Sequence, residues 1–117
     1  GVTMYQENIV LCASSAYEQK YFLNEDFNSL PQSIKDELKI MCVLYTEDVG
    51  GILTLKYDED GTLLMEVSSD EGDILFDEIG SVLKIKELQN KKRELLEALE
   101  AYYKVFFLGE DMDNVVR

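Results

Sequence analysis

Two short runs of alternating apolar residues around a glycine turn constrain the fold of this chain more than any other feature. Leu53, Leu55 and Tyr57 alternate on one side, and Leu63, Met65 and Val67 alternate on one side of the next run. Successive strand residues point to opposite faces, so both sets share a face only if 57 pairs with 63, 55 with 65 and 53 with 67. That register closes a three-residue loop, Glu59-Asp60-Gly61, in which a type I turn is followed by glycine in the left-handed region. A two-residue Asp60-Gly61 turn would instead set Leu55 against Glu66 and Leu53 against Ser68. The pattern predicts an antiparallel hairpin with one apolar face, and such a face needs a second layer to cover it.

The flanking segments supply that layer. Ile9 to Ala13 is a continuous apolar run and Tyr17 to Leu23 alternates loosely, which together read as another hairpin. A rival reading puts Tyr17, Tyr21 and Phe22 on one face of a short helix, and so brief a window leaves both open. Pro31 suits a first helical turn, and Ser33-x-x-Asp36 resembles a capping box. Ile34, Leu38, Met41 and Tyr45 then fall at helical spacing, with Ile40, Cys42, Leu44 and Val49 widening the stripe until Gly50-Gly51 ends it. This spacing predicts a helix over 31–48. From Ile74 onward apolar residues recur through Ile79, Val82, Leu83, Leu88, Leu95, Leu99, Tyr102 and Phe106 without a proline, which predicts one long helix over 75–108. Unbroken, it would run on the order of 50 Å.

The expected architecture is α+β in the order ββαββα, an antiparallel sheet of four strands packed with one mid-chain helix and one long C-terminal helix. At 117 residues one core is expected. Residues 1–109 read as the single domain and 110–117 as a polar, frayed tail. Gly1-Val2-Thr3 lacks an initiator methionine, so at least Gly1 reads as carried over from expression, with Met4 as the start.

Charge and composition then remove whole classes of chemistry. Acidic residues number 24 against 11 basic ones, a net charge of −13, which repels nucleic-acid backbones and anionic membranes. The chain has no histidine, so Ser-His-Asp triads, Cys-His dyads and imidazole metal sites cannot be built from it. Cys12 and Cys42 lie in apolar stretches without a C-x-x-C spacing and read as buried thiols. The apolar run Ile40 to Tyr45 is far short of the 18 or so residues that span a bilayer. The expectation is a cytoplasmic protein with no catalytic, cofactor-binding or metal-ligating residues and with no nucleic-acid or membrane partner.

Two features read as interaction surfaces. Residues 47–78 hold 11 acids and Lys56 as their one base, suiting either a solvated face or a surface for a basic partner or a cation. An EF-hand with Gly61 at its glycine position would need Lys56 and Val67 as ligands, and neither can serve. A looser Mg²⁺ or Ca²⁺ site on Asp70, Glu71, Asp73 and Asp77 is the rival, and with it a carboxylate or metal-dependent enzyme over residues 70–78. The second feature is a seam of Ile85, Leu88, Lys92, Leu95, Leu99, Tyr102 and Phe106 at heptad spacing, apolar except at Lys92. Leu96, Tyr103 and Phe107 add another apolar face near its end. Leu95, Leu99, Tyr102, Tyr103, Phe106 and Phe107 are therefore the candidate contact residues for a homodimer or another protein partner, which makes a non-enzymatic protein-interaction module the preferred function. An acidic chaperone-like protein and a nucleic-acid mimic are further alternatives.

Tyr17-Glu18-Gln19-Lys20-Tyr21, the Gly50-Gly51 strand entry, Phe76-Asp77-Glu78-Ile79-Gly80 and Tyr102-Tyr103-Lys104-Val105 together resemble an uncharacterised family of short acidic proteins from Gram-positive anaerobic bacteria. The likeness covers nearly the whole chain and implies no activity and no functional residue. At the level of fold alone, small acidic dimeric α+β proteins include secretion chaperones that bind unfolded client segments.

Overall fold

The computed structural model describes residues 8–109. Strands β1 (Ile9–Ser15) and β2 (Lys20–Leu23) form the first hairpin, and a 3-10 turn at Glu25–Phe27 leads into α1 (Gln32–Val49). Strands β3 (Ile52–Tyr57) and β4 (Leu63–Ser68) form the second hairpin, followed by α2 (Glu78–Lys91) and α3 (Arg93–Phe106). The strands lie in the order β2-β1-β3-β4, and every neighbouring pair is antiparallel. The fold is α+β in the expected order, with the last helix in two pieces. The expected tail at 110–117 and the proposed start at Met4 lie outside the described residues.

The second hairpin has the register read from the alternation: Tyr57 opposes Leu63, Leu55 opposes Met65 and Leu53 opposes Val67. Gly61 takes φ +86°, as the three-residue loop requires. Asp58 fixes that loop, because its Oδ1 accepts from the backbone N–H of Asp60 at 2.9 Å and of Thr62 at 3.0 Å. The first hairpin is likewise formed of strands, with Tyr17 in its connection, so the helical alternative for 17–23 is set aside.

One face of the sheet carries the core. Cys12, Leu53, Leu55 and Tyr57 are buried there under Leu38, Met41, Cys42 and Tyr45 of α1 and Leu95, Leu99 and Tyr103 of α3. A bulge between Val10 and Cys12 sets the extra residue Leu11 into β1, and Leu11 and Cys12, though adjacent in sequence, are both fully buried. The Cys12 and Cys42 sulfurs are free thiols 3.8 Å apart across the β1–α1 contact. On the opposite face Phe22, Ala13, Thr54 and Glu66 form one cross-strand row, and none of them is buried.

Three expectations about the helices need correction. Ser33 caps nothing: α1 starts after Pro31 with no side-chain cap, and Gln32 Nε2 donates to Asp36 Oδ1 at 2.8 Å instead. Ile40 and Leu44, assigned to the apolar stripe of α1, are exposed on its outer side. The single helix over 75–108 is two helices. Asp77 caps α2, its Oδ1 accepting from Gly80 N–H at 2.9 Å, so residues 75–77 precede the helix. Lys92 then leaves helical geometry at φ −108°, ψ 27°.

The chain bends at Lys92 without reversing, since Lys92 N–H still donates to Leu88 O at 2.8 Å and Leu96 N–H to Lys92 O at 3.0 Å. Lys91 in the last turn of α2 and Lys92 at its C-cap place two cations where the negative end of that helix favours them. Lys92 Nζ also reaches Glu37 Oε2 on α1 at 3.4 Å. The bend lets α2 run beside α1, with Lys84 paired to Asp48 at 3.1 Å, while α3 turns its apolar stripe onto the sheet.

Candidate functional site

The candidate contact residues of α3 separate into two groups. Leu95, Leu99 and Tyr103 belong to the core of their own domain, Leu99 being only 1% exposed, so the expected seam is not a free surface. The Tyr57 hydroxyl donates to Leu99 O at 2.8 Å, and the Tyr57 and Tyr103 rings stack at 4.1 Å. Burial raises the pKa of Tyr57 well above its ordinary value, so the hydroxyl stays protonated and keeps donating. Tyr102, Phe106 and Phe107 instead carry the aromatic packing outward. Phe107 stacks on Phe27 at 4.8 Å and on Tyr103 at 5.0 Å, and Phe106 leans on Tyr102 at 4.8 Å. Phe106 is 68% exposed and ends the series in solvent. Tyr102 is anchored by a 2.5 Å hydrogen bond between its hydroxyl and Ser29 Oγ.

The acidic stretch leading into α2 is a second exposed region. The Tyr17 hydroxyl, from the first hairpin's connection, donates to Asp73 Oδ2 at 2.6 Å and accepts from Asp70 N–H at 3.1 Å. The bond to Asp73 raises the pKa of Tyr17. Phe76 anchors the other end, lying against Gly51, where a Cβ would come within 2.7 Å of its ring and 2.6 Å of Ser68 O. Between these ties Ile74 and Leu75 are 90% and 89% exposed, and Ile79 on the first turn of α2 is 76% exposed. Of the apolar residues whose spacing predicts the long helix, Ile74, Ile79, Val82 and Leu83 are all exposed. The sequence held one signal for this, the capping residue Asp77, which starts the helix only after Ile74 and Leu75.

Three hollows adjoin these elements. One, of about 760 Å³, lies between the first hairpin and α1 and is lined by Ser14, Lys20, Tyr21, Lys39, Thr46 and Glu47. Its buried hydroxyls serve one another: Ser14 Oγ meets Thr46 Oγ1 at 2.8 Å, and Thr46 Oγ1 also lies 3.2 Å from the carbonyls of Cys42 and Val43. Nothing there activates Ser14 as a nucleophile. A second, of about 440 Å³, is lined by Met65, Val67, Phe76, Val82 and Ile85, with three serines and Glu78 completing it. It adjoins a third, of about 540 Å³, bordered by Asp70, Glu71, Asp73, Asp77 and Glu78. Ser69, Phe76 and Glu78 line both.

The carboxylates of this stretch do structural work that is already visible. Asp73 holds Tyr17 and Asp77 caps α2. Among the described residues no three Asp, Glu or Cys side chains converge as a metal-ligand set. Nor, among them, is any helix long and apolar enough to cross a membrane.

These features define a small two-layer α+β domain, helices on one sheet face and apolar side chains exposed at both ends of the α2–α3 pair. Residues 8–111 match the model of the Family of unknown function (DUF6145), and the chain belongs to that family. No curated protein and no solved structure matches it.

Proposed function

We propose that the protein is a non-enzymatic, cytoplasmic protein-interaction module that pairs with a second copy through the aromatic end of α3. The observation that carries this reading is the aromatic cluster that runs from buried Phe27 through Phe107, on which Tyr103 also stacks, to Tyr102 and exposed Phe106. Aromatic side chains bury large area and are costly to leave in water, which favours a contact there. Residues 93–108 carry two basic and three acidic side chains, a net charge of only −1, so two copies meet through α3 without strong repulsion. Two-fold symmetry would set the same patch against itself. The cytoplasmic assignment rests on two cysteines placed among apolar neighbours, without the spacing of a disulfide scaffold.

Light scattering tests the reading directly. The wild-type protein is expected at twice the monomer mass in the micromolar range, and Phe106→Ser is expected to run as a folded monomer, because Phe106 contributes little to its own core. A wild-type protein that stays monomeric at high micromolar concentration overturns the dimer.

A further inference from the structure

We propose that the apolar groove between β4 and α2, together with the aliphatic ridge beside it, is the docking site for a cationic amphipathic segment of another protein. The proposal extends the interaction-module reading to a second surface and does not depend on the dimer. The ridge consists of Ile74, Leu75, Ile79 and Leu83, all exposed, and Val82 joins it to the groove floored by Met65, Val67, Phe76 and Ile85. Large aliphatic side chains so exposed side by side mark a contact surface more often than a solvated one. The segment that displays them is held in place, by Tyr17 at one end and by Phe76 against Gly51 at the other.

The rim decides what fits. Asp70, Glu71, Asp73, Asp77 and Glu78 border the adjoining hollow, and no basic residue occurs between Lys56 and Lys84. Lys84 itself is occupied by Asp48 at 3.1 Å and Glu87 at 3.5 Å, and Lys86, exposed one turn beyond Val82 and Leu83, lies at the end of the ridge away from the rim carboxylates. A second copy of this chain would double the carboxylates across the contact and is disfavoured by like-charge repulsion. An anionic membrane is repelled for the same reason. A segment with apolar anchors at helical spacing and Lys or Arg on its flank satisfies both parts. Its apolar side chains would enter the groove and cover the ridge, and its cations would meet the rim. The long aliphatic stems of Lys and Arg can lie along the ridge while their charged ends reach the carboxylates.

The experiment titrates the full-length protein with three labelled helical peptides and follows fluorescence anisotropy. One carries a Leu face and Lys flanks, the second replaces Leu by Ser at the same charge, and the third replaces Lys by Glu. Saturable binding of the Leu/Lys peptide, at least about tenfold tighter than of either control, is expected, with affinity falling as salt rises. The double variant Leu75→Ser/Ile79→Ser should weaken it by about tenfold or more while keeping the wild-type circular dichroism. Phe106→Ser should leave it unchanged, which separates this surface from the proposed dimer contact. Equal binding of the Ser/Lys peptide would reduce the site to a nonspecific polyanion and overturn the proposal. So would no binding of the Leu/Lys peptide, or binding unaffected by the double variant, and neither result bears on self-association.

Discussion

Helices α2 and α3 have the same length, follow one another across a single non-helical residue, and use their apolar side chains in opposite ways. Helix α3 buries Leu95, Leu99 and Tyr103, whereas Ser81 is the one residue of α2 that is fully buried. Ile79, Val82 and Leu83 of α2 are left in solvent. The difference lies in phase. In α3 the apolar residues fall on one stripe, so the side chains that fit the sheet are the ones directed at it. In α2 they are spread around the circumference, Ile85 and Leu88 packing inward while Ile79 and Leu83 point away. Apolar content alone says little about burial; its angular distribution decides.

Raising the pH should break this comparison most completely. Burial raises the pKa of Tyr21, Tyr45, Tyr57 and Tyr103 above the usual 10.0. A folded-state pKa above the unfolded one contributes stability that is fully present below about pH 10 and is lost as the pH rises further. The α3 side, resting on Tyr57 and Tyr103, should therefore unfold cooperatively in alkali. Tyr17, exposed beside the segment that leads into α2, should ionise without unfolding. Tyrosinate absorbance followed together with circular dichroism should show two phases, the later one coinciding with loss of structure. A single phase with no structural change would refute the assignment.

Alanine substitutions sharpen the contrast at neutral pH. Leu99→Ala should cost about 2–5 kcal/mol in urea unfolding, the usual range for an emptied core leucine site. Leu83→Ala should stay within about 0.5 kcal/mol, as expected of an exposed position. Similar values for the two would mean that α2 is packed more tightly than its exposure indicates.

A pair of glycines makes the next test. Gly51 has φ +74°, and a Cβ there would lie 2.6 Å from Ser68 O, so Gly51→Ala should cost about 1–3 kcal/mol. Gly72, in the exposed acidic segment, has nothing within 4 Å of the same atom, and Gly72→Ala should be close to neutral. The midpoint of urea unfolding at constant slope measures both.

The smallest effect is expected at the junction itself. Lys92→Ala removes a 3.4 Å ion pair with Glu37 between partly exposed side chains, and such pairs contribute at most about 1 kcal/mol. A change under about 0.5 kcal/mol is expected in thermal or urea unfolding. A larger loss would show that the pair, more than the packing of α3, sets the bend.

How much of this was legible in the sequence depends on whether local pattern or distant contact decided the outcome. The β3–β4 register followed from alternation and one glycine, both local, and it is found residue for residue. The extent of α1 followed from helical spacing and the paired glycines, to within one residue at each end. The break at Lys92 was not legible as a break, because Asn90 to Arg93 holds no proline or glycine; only the charged residue in an apolar seam pointed to it. Ile74 and Leu75 lie in a segment that Tyr17 ties down through Asp73 across 56 positions, a contact that no local window contains. The candidate contact residues were legible as apolar but not as inside or outside. Leu95, Leu99 and Tyr103 went to the core, and only Tyr102, Phe106 and Phe107 remain near the surface.

The order of the strands also bears on how the chain is made. β1 lies between β2 and β3, so each hairpin can close locally, but the two halves of the sheet meet only when residues such as Ser14 and Leu53 find one another across α1. Even then one end of the inner face stays incomplete until Leu95, Leu99 and Tyr103 arrive, and these belong to α3, which follows every strand of the sheet in the chain. Until then Tyr57 has Phe27 stacked on it at 5.7 Å but lacks Tyr103 on its ring and the Leu99 carbonyl for its hydroxyl. During that interval the nascent protein presents an incomplete, apolar sheet to its surroundings, which makes the arrival of α3 the step that ends its exposure to aggregation and to chaperones.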